Sequence, residues 1–416
     1  MKNILRHSVI KNSISLFIIK FVEIGLPLIL LPFLSRNLGV IEFGLYFVIV
    51  SILSIGYMIT DFGFSISAVY KIVNNKNNKN YIAKYVSSIF VIKTILSIIF
   101  IAVIIIYLTN SNYNSINLLS YFLISLIIIF QAYQMPWFFQ GIEKMKNITI
   151  AVVTTKLTNF LSILLLLHIW NDFNSILISF SINGLICSYI YSYLYKKNGF
   201  YFQFPTSSKM IINEAKESFS FFLSKIAITL SSSLNSIIIS KFLGLNITAL
   251  YGSAEKLYNG SINMMSPITN ALYPYFARNK KVSLLVYLSI FFTSIAIILS
   301  FTVYLNSEKI IIIIFGYKYI EAATYLNLFL ILIPINVLSS LWSYPAFSII
   351  KKTSVANFTV LISSFIYLLI LIYLYFMNSI SVENIIRSII ISDLITLLTR
   401  LIYFRKLYKK NHDQNQ

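Results

Sequence analysis

One cysteine, three histidines and thirteen acidic residues are all that these 416 residues offer toward covalent, metal or acid–base chemistry. Cys187 stands alone inside an apolar segment, which excludes an intramolecular disulfide and any cysteine-based metal site. There is no Walker loop, G-x-G-x-x-G fingerprint, H-E-x-x-H pair, D-x-D pair or nucleophile elbow. Charge is scarce as well: only 11% of residues are Asp, Glu, Lys or Arg, and mean hydropathy is +0.80. A soluble globule is excluded, and an enzyme is disfavoured, because no segment outside the apolar runs gathers carboxylates. The longest loop assigned to the outer side, about 306–319, holds Glu308, Lys309 and Lys318 and no acidic pair. No metal and no cofactor is expected.

What is abundant is apolar length. Runs long enough to cross a ~30 Å hydrocarbon layer recur along almost the whole chain. They lack the alternation of barrel strands, so they are read as helices, which satisfy their own backbone groups in lipid. Twelve spans are predicted: about 12–34, 42–70, 82–108, 116–139, 147–169, 174–195, 215–240, 247–276, 282–305, 320–344, 354–377 and 384–404. With the N-terminus inside, 22 Lys and Arg fall on the inner side, 20 in loops and termini and two, Lys84 and Lys216, at the inner ends of their spans. Only Arg36, Lys241, Lys309 and Lys318 fall on outer loops. The positive-inside rule therefore puts both termini in the cytoplasm. The +20 net charge sets topology, and without an aromatic-interleaved basic domain no nucleic acid is expected as a partner. Trp137, Trp170 and Trp342 lie near span ends, where an aromatic belt belongs.

The two halves look like repeats. At an offset of 205 residues Lys20 pairs with Lys225, Gly39 with Gly244, Tyr46 with Tyr251, Trp137 with Trp342 and Lys146 with Lys351. The Trp and Gly matches weigh most, since the chain holds three Trp and twelve Gly. The expected fold class is an all-α integral membrane protein with two six-helix bundles, related by a pseudo-two-fold axis along the membrane normal. The bundles are placed at residues 1–195 and 215–405, with a cytoplasmic linker at 196–214 and a cytoplasmic tail at 406–416.

Lysines sit at depth. Lys20, Lys93, Lys156 and Lys225 each follow a flanking basic residue by nine or ten positions. At 1.5 Å per helical residue that is roughly 13–15 Å, about half the hydrocarbon layer. Each cation there costs ~2.5–3.5 kcal/mol even on the lenient insertion scale. Such residues are expected to face water, a partner or an anionic cargo. Helical spacing places Ser218, Lys225, Thr229, Ser232 and Ser236 on one face of span 7. Span 8 presents Lys256, Gly260, Asn263 and Pro267, span 5 Lys156 and Asn159, and span 1 Lys20, Glu23 and Pro27. These stripes either line a shared hydrated cavity or join helices to one another.

Among the acids, Glu23 can pair with Lys20 at i,i+3, as a proton-linked switch or as a static pair. Asp61 either gates the cytoplasmic side or caps a helix break. Glu255 points away from Lys256, and Asp393 has no same-helix partner. Arg387 and Arg400 lie near span ends and are expected to snorkel. Gln131, Gln134, Asn159, Ser232, Ser236 and Asn263 are candidate hydrogen-bonding partners for sugar hydroxyls. Prolines inside spans are expected to kink them.

Several segments carry a resemblance. Leu31-Pro32-Phe33-Leu34-Ser35-Arg36-Asn37-Leu38-Gly39, then Phe43-Gly44-Leu45-Tyr46 and Asp61-Phe62-Gly63-Phe64, resembles the start of Wzx-type O-antigen and polysaccharide flippases. Trp137-Phe138-Phe139-Gln140-Gly141-Ile142-Glu143-Lys144-Met145-Lys146 is similar to that family's fourth inner-loop segment. Tyr251-Gly252-Ser253-Ala254-Glu255-Lys256-Leu257 and Phe315-Gly316-Tyr317 also fit, in order. The resemblance implies the MATE-like exporter superfamily, with two bundles forming a V around a cavity. It also implies an undecaprenyl-diphosphate-linked oligosaccharide as cargo, moved across the bacterial cell membrane by alternating access. Functional partners implied are the polymerase and glycosyltransferases of the same pathway. A multidrug exporter and a lipid-linked peptidoglycan precursor flippase remain alternatives. The family supplies no fixed list of binding residues, so the site residues rest on depth and face.

Overall fold

A computed structural model describes residues 22–203, apart from 112 and 114, and residues 208–413. Among the described residues all regular structure is helical. Residues 22–37 form α1. There follow α2 (Val40–Asp61), α3 (Phe64–Asn74), α4 (Lys79–Asn110), α5 (Leu118–Ala132), α6 (Pro136–Gly141), α7 (Met145–Trp170), α8 (Phe173–Lys197) and α9 (Ser208–Phe242). The remainder is α10 (Leu245–Asn263), α11 (Ser266–Asn279), α12 (Val282–Leu305), α13 (Ser307–Phe315), α14 (Ala322–Leu341), α15 (Tyr344–Ile349), α16 (Ser354–Phe376) and α17 (Val382–Asp413).

Eight helical stretches among the described residues are long and apolar enough to cross a membrane. They coincide with eight of the expected spans. The other four expected segments fall on α1, α9, α10 with α11, and α17, with residues 12–21 of the first lying outside the described residues.

Several expected spans are interrupted. The second breaks at Phe62 and Gly63, both left-handed with φ of 45° and 82°. The fourth breaks at 133–135, the eighth at 264–265 and the tenth at 342–343. The prolines sort accordingly. Pro136, Pro267 and Pro345 each start a new helix after a break, where the missing N–H costs nothing. Pro274 and Pro334 lie within helices that continue through them.

The repeat is visible in the element boundaries. Gly39 caps α2 and Gly244 caps α10, 205 positions apart. Trp137 lies inside the six-residue helix α6 and Trp342 two residues before the six-residue helix α15, each helix with proline in its first turn.

The chain divides into two compact units. One holds residues 1–42 and 49–229, the other residues 43–48 and 230–416. Both boundaries fall inside helices, α2 and α9. The core of the first unit is aromatic: Phe64, Tyr85, Trp137, Phe138, Phe139, Tyr195 and Phe200 are buried together. The second unit packs Phe276, Leu285, Phe347 and Phe404. These clusters correct the aromatic-belt expectation for two tryptophans. Trp137 is 1% exposed and anchors the first core. Trp342 lies edge-on to Phe404, 5.2 Å between ring centroids. Only Trp170 is exposed as a belt residue would be. Each of these two lies at a helix break whose short helix, α6 or α15, packs into a core cluster of its unit.

Candidate functional site

In the first unit, the break between α2 and α3 creates the site. Ending α2 at a left-handed Phe62 leaves Asp61 at its C-terminus, 2% exposed. Gly63 is required there: a Cβ would lie 2.8 Å from the Ser218 carbonyl oxygen and 2.9 Å from the Phe222 nitrogen of α9. That approach lets α9 run antiparallel along α2 and α3.

A ladder of polar contacts follows. Lys225 Nζ donates to Asp61 Oδ2 at 2.8 Å and also to Ser65 Oγ. Ser65 in turn donates to Asp61 at 2.9 Å. The Ser67 and Ser218 hydroxyls meet at 2.8 Å. Lys71 pairs with Glu214 and, at 2.9 Å, with Glu217. Phe62 stacks on Phe222 with 4.8 Å between centroids.

Lys93, on α4, completes the cluster. It is 2% exposed and lies over the Trp137 ring, 5.8 Å from its centroid. Its electrostatic partners are Asp61, which attracts it, and Lys225, which repels it. Asp61 is thus ion-paired with Lys225 and within electrostatic reach of Lys93. Asp61 Oδ1 is buried and makes no hydrogen bond among the described residues. A buried carboxylate with one oxygen unspent beside two cations is costly for folding alone.

The other candidates fall elsewhere. Lys20 lies outside the described residues. Glu23 is within electrostatic reach of Tyr57 and Tyr191. Lys156 is half-buried on α7 and neighbours Cys187 of α8. Near it, Asn159 Nδ2 and Asn183 Oδ1 are buried without hydrogen-bond partners among the described residues, as is Gln131 Oε1 on α5. Gln134 is half-buried, Ser236 is buried, and Ser232 and Asn263 are exposed.

The second unit gathers acids instead. Asn336 Nδ2 donates to Asp393 Oδ2 at 2.7 Å and to the Tyr258 hydroxyl at 2.9 Å. The Tyr251 hydroxyl donates to Glu255 at 2.9 Å. Asp393 and Glu255 both act electrostatically on Tyr258, and Lys256 is the charged neighbour of Glu255. Asp393 therefore finds its partners across helices, on α10 and α14.

Arg400 corrects the snorkelling expectation. It is 8% exposed, donating from Nη1 to the Ser339 carbonyl and hydroxyl, both at 2.7 Å, and from Nε to Thr359 at 3.2 Å. Proximity to a span end gave no hint of these acceptors. Arg387 is exposed as expected. Sequence reasoning also missed Ser65, Glu214, Asn183 and Asn336. Their spacing carries no signal, because each is defined by a partner on a distant helix.

Comparison with known proteins agrees with this architecture. The family described as polysaccharide biosynthesis protein matches residues 9–280. A Shigella dysenteriae protein described as "Putative O-antigen transporter" is 28% identical over 269 residues, covering 64% of this chain and 67% of that protein. An Escherichia coli K12 protein of the same description is 24% identical over 269 residues, 64% of each chain. This chain thus matches about two thirds of each relative's length. Among solved structures, the inward closed conformation of the lipid II flippase MurJ superposes with a TM-score of 0.70 at 15% identity, covering 95% of this chain and 87% of that one. A Vibrio cholerae MATE transporter superposes with a TM-score of 0.57 at 12% identity, over 98% of both chains. These relatives are transporters, not enzymes. The chain is a multi-pass membrane protein with the fold of MATE and MurJ transporters, and it belongs to the polysaccharide biosynthesis protein family.

Proposed function

We propose that this chain is a flippase that moves a polyprenyl-diphosphate-linked oligosaccharide from the cytoplasmic to the outer leaflet of the bacterial inner membrane. Both termini lie in the cytoplasm on this reading, as the distribution of basic residues requires. The observation that carries it is the Lys225–Asp61 ion pair on a buried carboxylate, with the buried Lys93 within electrostatic reach of both, in one unit. A diphosphate offers the negative charge that the pair of ammonium groups lacks once Asp61 is neutralised or displaced. Lysine suits the task as a flexible point charge that grips and releases, where a bidentate arginine holds one geometry. The names of the Shigella and Escherichia relatives point to the same class of cargo.

The mechanism is alternating access. The headgroup enters toward Lys93 and Lys225, with Lys156 and Lys20 as further cations on its path. The unspent amides of Gln131 and Asn159 serve sugar hydroxyls, with Gln134, Ser232, Ser236 and Asn263 as further contacts. The ladder from Asp61 to Glu217 along α9 is the cytoplasmic gate, and Lys71 and Lys225 release their carboxylates as it opens. Ion coupling falls to the acids: Asp61 and Glu23 in the first unit, Glu255 and Asp393 beside Lys256 in the second. The polymerase and glycosyltransferases of the same pathway supply and consume the cargo.

Deleting the gene in its own host tests this. Surface polysaccharide is expected to disappear while the lipid-linked intermediate accumulates on the cytoplasmic side, and both should revert on re-expression. Unchanged surface polysaccharide would rule the reading out. Altered drug accumulation would indicate a multidrug exporter, and rescue of a strain lacking its peptidoglycan-precursor flippase would indicate that activity.

A further inference from the structure

The first unit contains a cavity of about 450 Å³ that the proposed headgroup site does not use. Its wall runs along two turns of α4, from Ser87 to Ile95, faces Ser192 of α8, and is closed by Tyr133 and by Phe202 of the linker. Lys93 is not among the lining residues. The volume falls in the lower part of the ~300–1,000 Å³ range of small-molecule sites.

The polar groups on this wall are largely spent on one another. The Thr94 and Tyr133 hydroxyls share a hydrogen bond of 2.8 Å, and Ser87 Oγ accepts the Gln203 N–H at 3.1 Å. What remains for a ligand is apolar and aromatic: Phe90 is stacked on Tyr133 and edge-on to Phe202. An oligosaccharide would find few partners here, whereas a hydrocarbon chain would find a complementary surface. Ile95 and Phe202, 52% and 44% exposed, mark the open side.

Charge is confined to one end. Lys84 sits three residues before Ser87 on α4, and Lys196 four residues after Ser192 on α8, so each lies one helical turn beyond the cavity on the face that lines it. Lys79 reaches the same end, its Nζ 5.7 Å from the Phe200 ring. None of the three forms an ion pair with an acid among the described residues. An apolar slot with cations at one end complements an amphiphile with one anionic head.

We propose that this groove binds an anionic phospholipid, with one acyl chain in the cavity and its phosphate met by Lys79, Lys84 and Lys196. The bound lipid would fix the linker segment at Phe202 against α4 and α8. The inference stands on this cavity and its rim alone, so it does not depend on the identity of the cargo.

Native mass spectrometry of the purified full-length protein tests it, titrating phosphatidylglycerol and phosphatidylethanolamine of identical chains. Phosphatidylglycerol is expected to bind about tenfold more tightly, as one charge-assisted contact supplies. Ser192→Trp, which fills the cavity, should abolish the tight adduct. Lys79→Gln, Lys84→Gln and Lys196→Gln together, all outside the packed core, should leave the two lipids binding equally. Equal affinity in the wild type would overturn the proposal, as would a wild-type adduct in Ser192→Trp or a persisting preference in the lysine variant. Displacement of phosphatidylglycerol by undecaprenyl phosphate at lower concentration would assign the groove to the carrier lipid and equally overturn it.

Discussion

Replacing Lys93 and Lys225 together with alanine is expected to abolish surface polysaccharide while the protein still inserts in the membrane. On the proposed reading each ammonium makes a charge-assisted contact with the headgroup, worth ~1.5–3 kcal/mol, or roughly ten- to a hundredfold in affinity. Loss of both should leave no measurable export. The difficulty is that Lys225 also neutralises Asp61, which is buried, so its removal alone strands a carboxylate in the interior. Asp61→Asn with Lys225→Ala resolves this. The pair removes both charges and should recover the abundance and thermal stability lost in Lys225→Ala, yet export should stay impaired. Recovery of export alongside stability would mean that Lys225 serves only to neutralise Asp61. Surface polysaccharide is read by immunoblot, and folding by size-exclusion chromatography of the detergent extract.

The second large effect lies at Gly44. A Cβ built there would sit 2.0 Å from the Leu245 carbonyl oxygen and 2.8 Å from its carbon. No side-chain motion relieves a clash with backbone. Nearby, a Cβ on Gly252 would enter the Phe47 ring, 2.3 Å from its nearest atom. Within the second unit, residues 43–48 and the first turns of α10 therefore approach as closely as small residues permit. Overpacking ordinarily costs ~1–3 kcal/mol, and a backbone clash lies at or above the top of that range. Gly44→Ala should lower the thermal midpoint substantially, and Gly44→Val should yield no folded protein. Gly39→Ala is the control. There φ is −64° and the nearest atom is the Glu42 carboxylate at 3.9 Å, so the midpoint should hardly move. Equal loss in Gly39→Ala and Gly44→Ala would show that the close approach is not what matters.

The parts of this architecture that depend on one-dimensional pattern were legible in the sequence. Apolar length located the helices, because the bilayer imposes a minimum run. The 205-residue offset of Gly39/Gly244 marks helix starts that recur in both halves, and that of Trp137/Trp342 marks a break and a short helix recurring within about three residues. The Asp61-Phe62-Gly63 stretch indicated a break, and one is present. Helical spacing put Ser218 and Lys225 on one face, and the two share the ladder with α2 and α3.

What stayed hidden depends on partners. Lys93 and Lys156 sit at similar depth by residue count, yet Lys93 is buried over Trp137 within electrostatic reach of Asp61, whereas Lys156 is half-buried beside Cys187. Arg400 looked like an interfacial residue until Ser339 and Thr359, 61 and 41 residues away, supplied its acceptors. Trp137 looked interfacial for the same reason: its position near a span end says nothing of the aromatic cluster of α3, α4 and α8 in which it is buried. Asp393 lacked a same-helix partner and found Asn336 on another helix instead.

The most direct test is transbilayer movement of a fluorescent undecaprenyl-diphosphate oligosaccharide in liposomes containing the purified protein. Wild-type protein should move the probe from one leaflet to the other, and an undecaprenyl-linked oligosaccharide lacking the diphosphate should stay behind. Lys93→Ala/Lys225→Ala protein, folded and reconstituted to the same density, should move neither. Wild-type rates in that variant, or equal transport of the uncharged probe, would show that these two amines do not grip the phosphates.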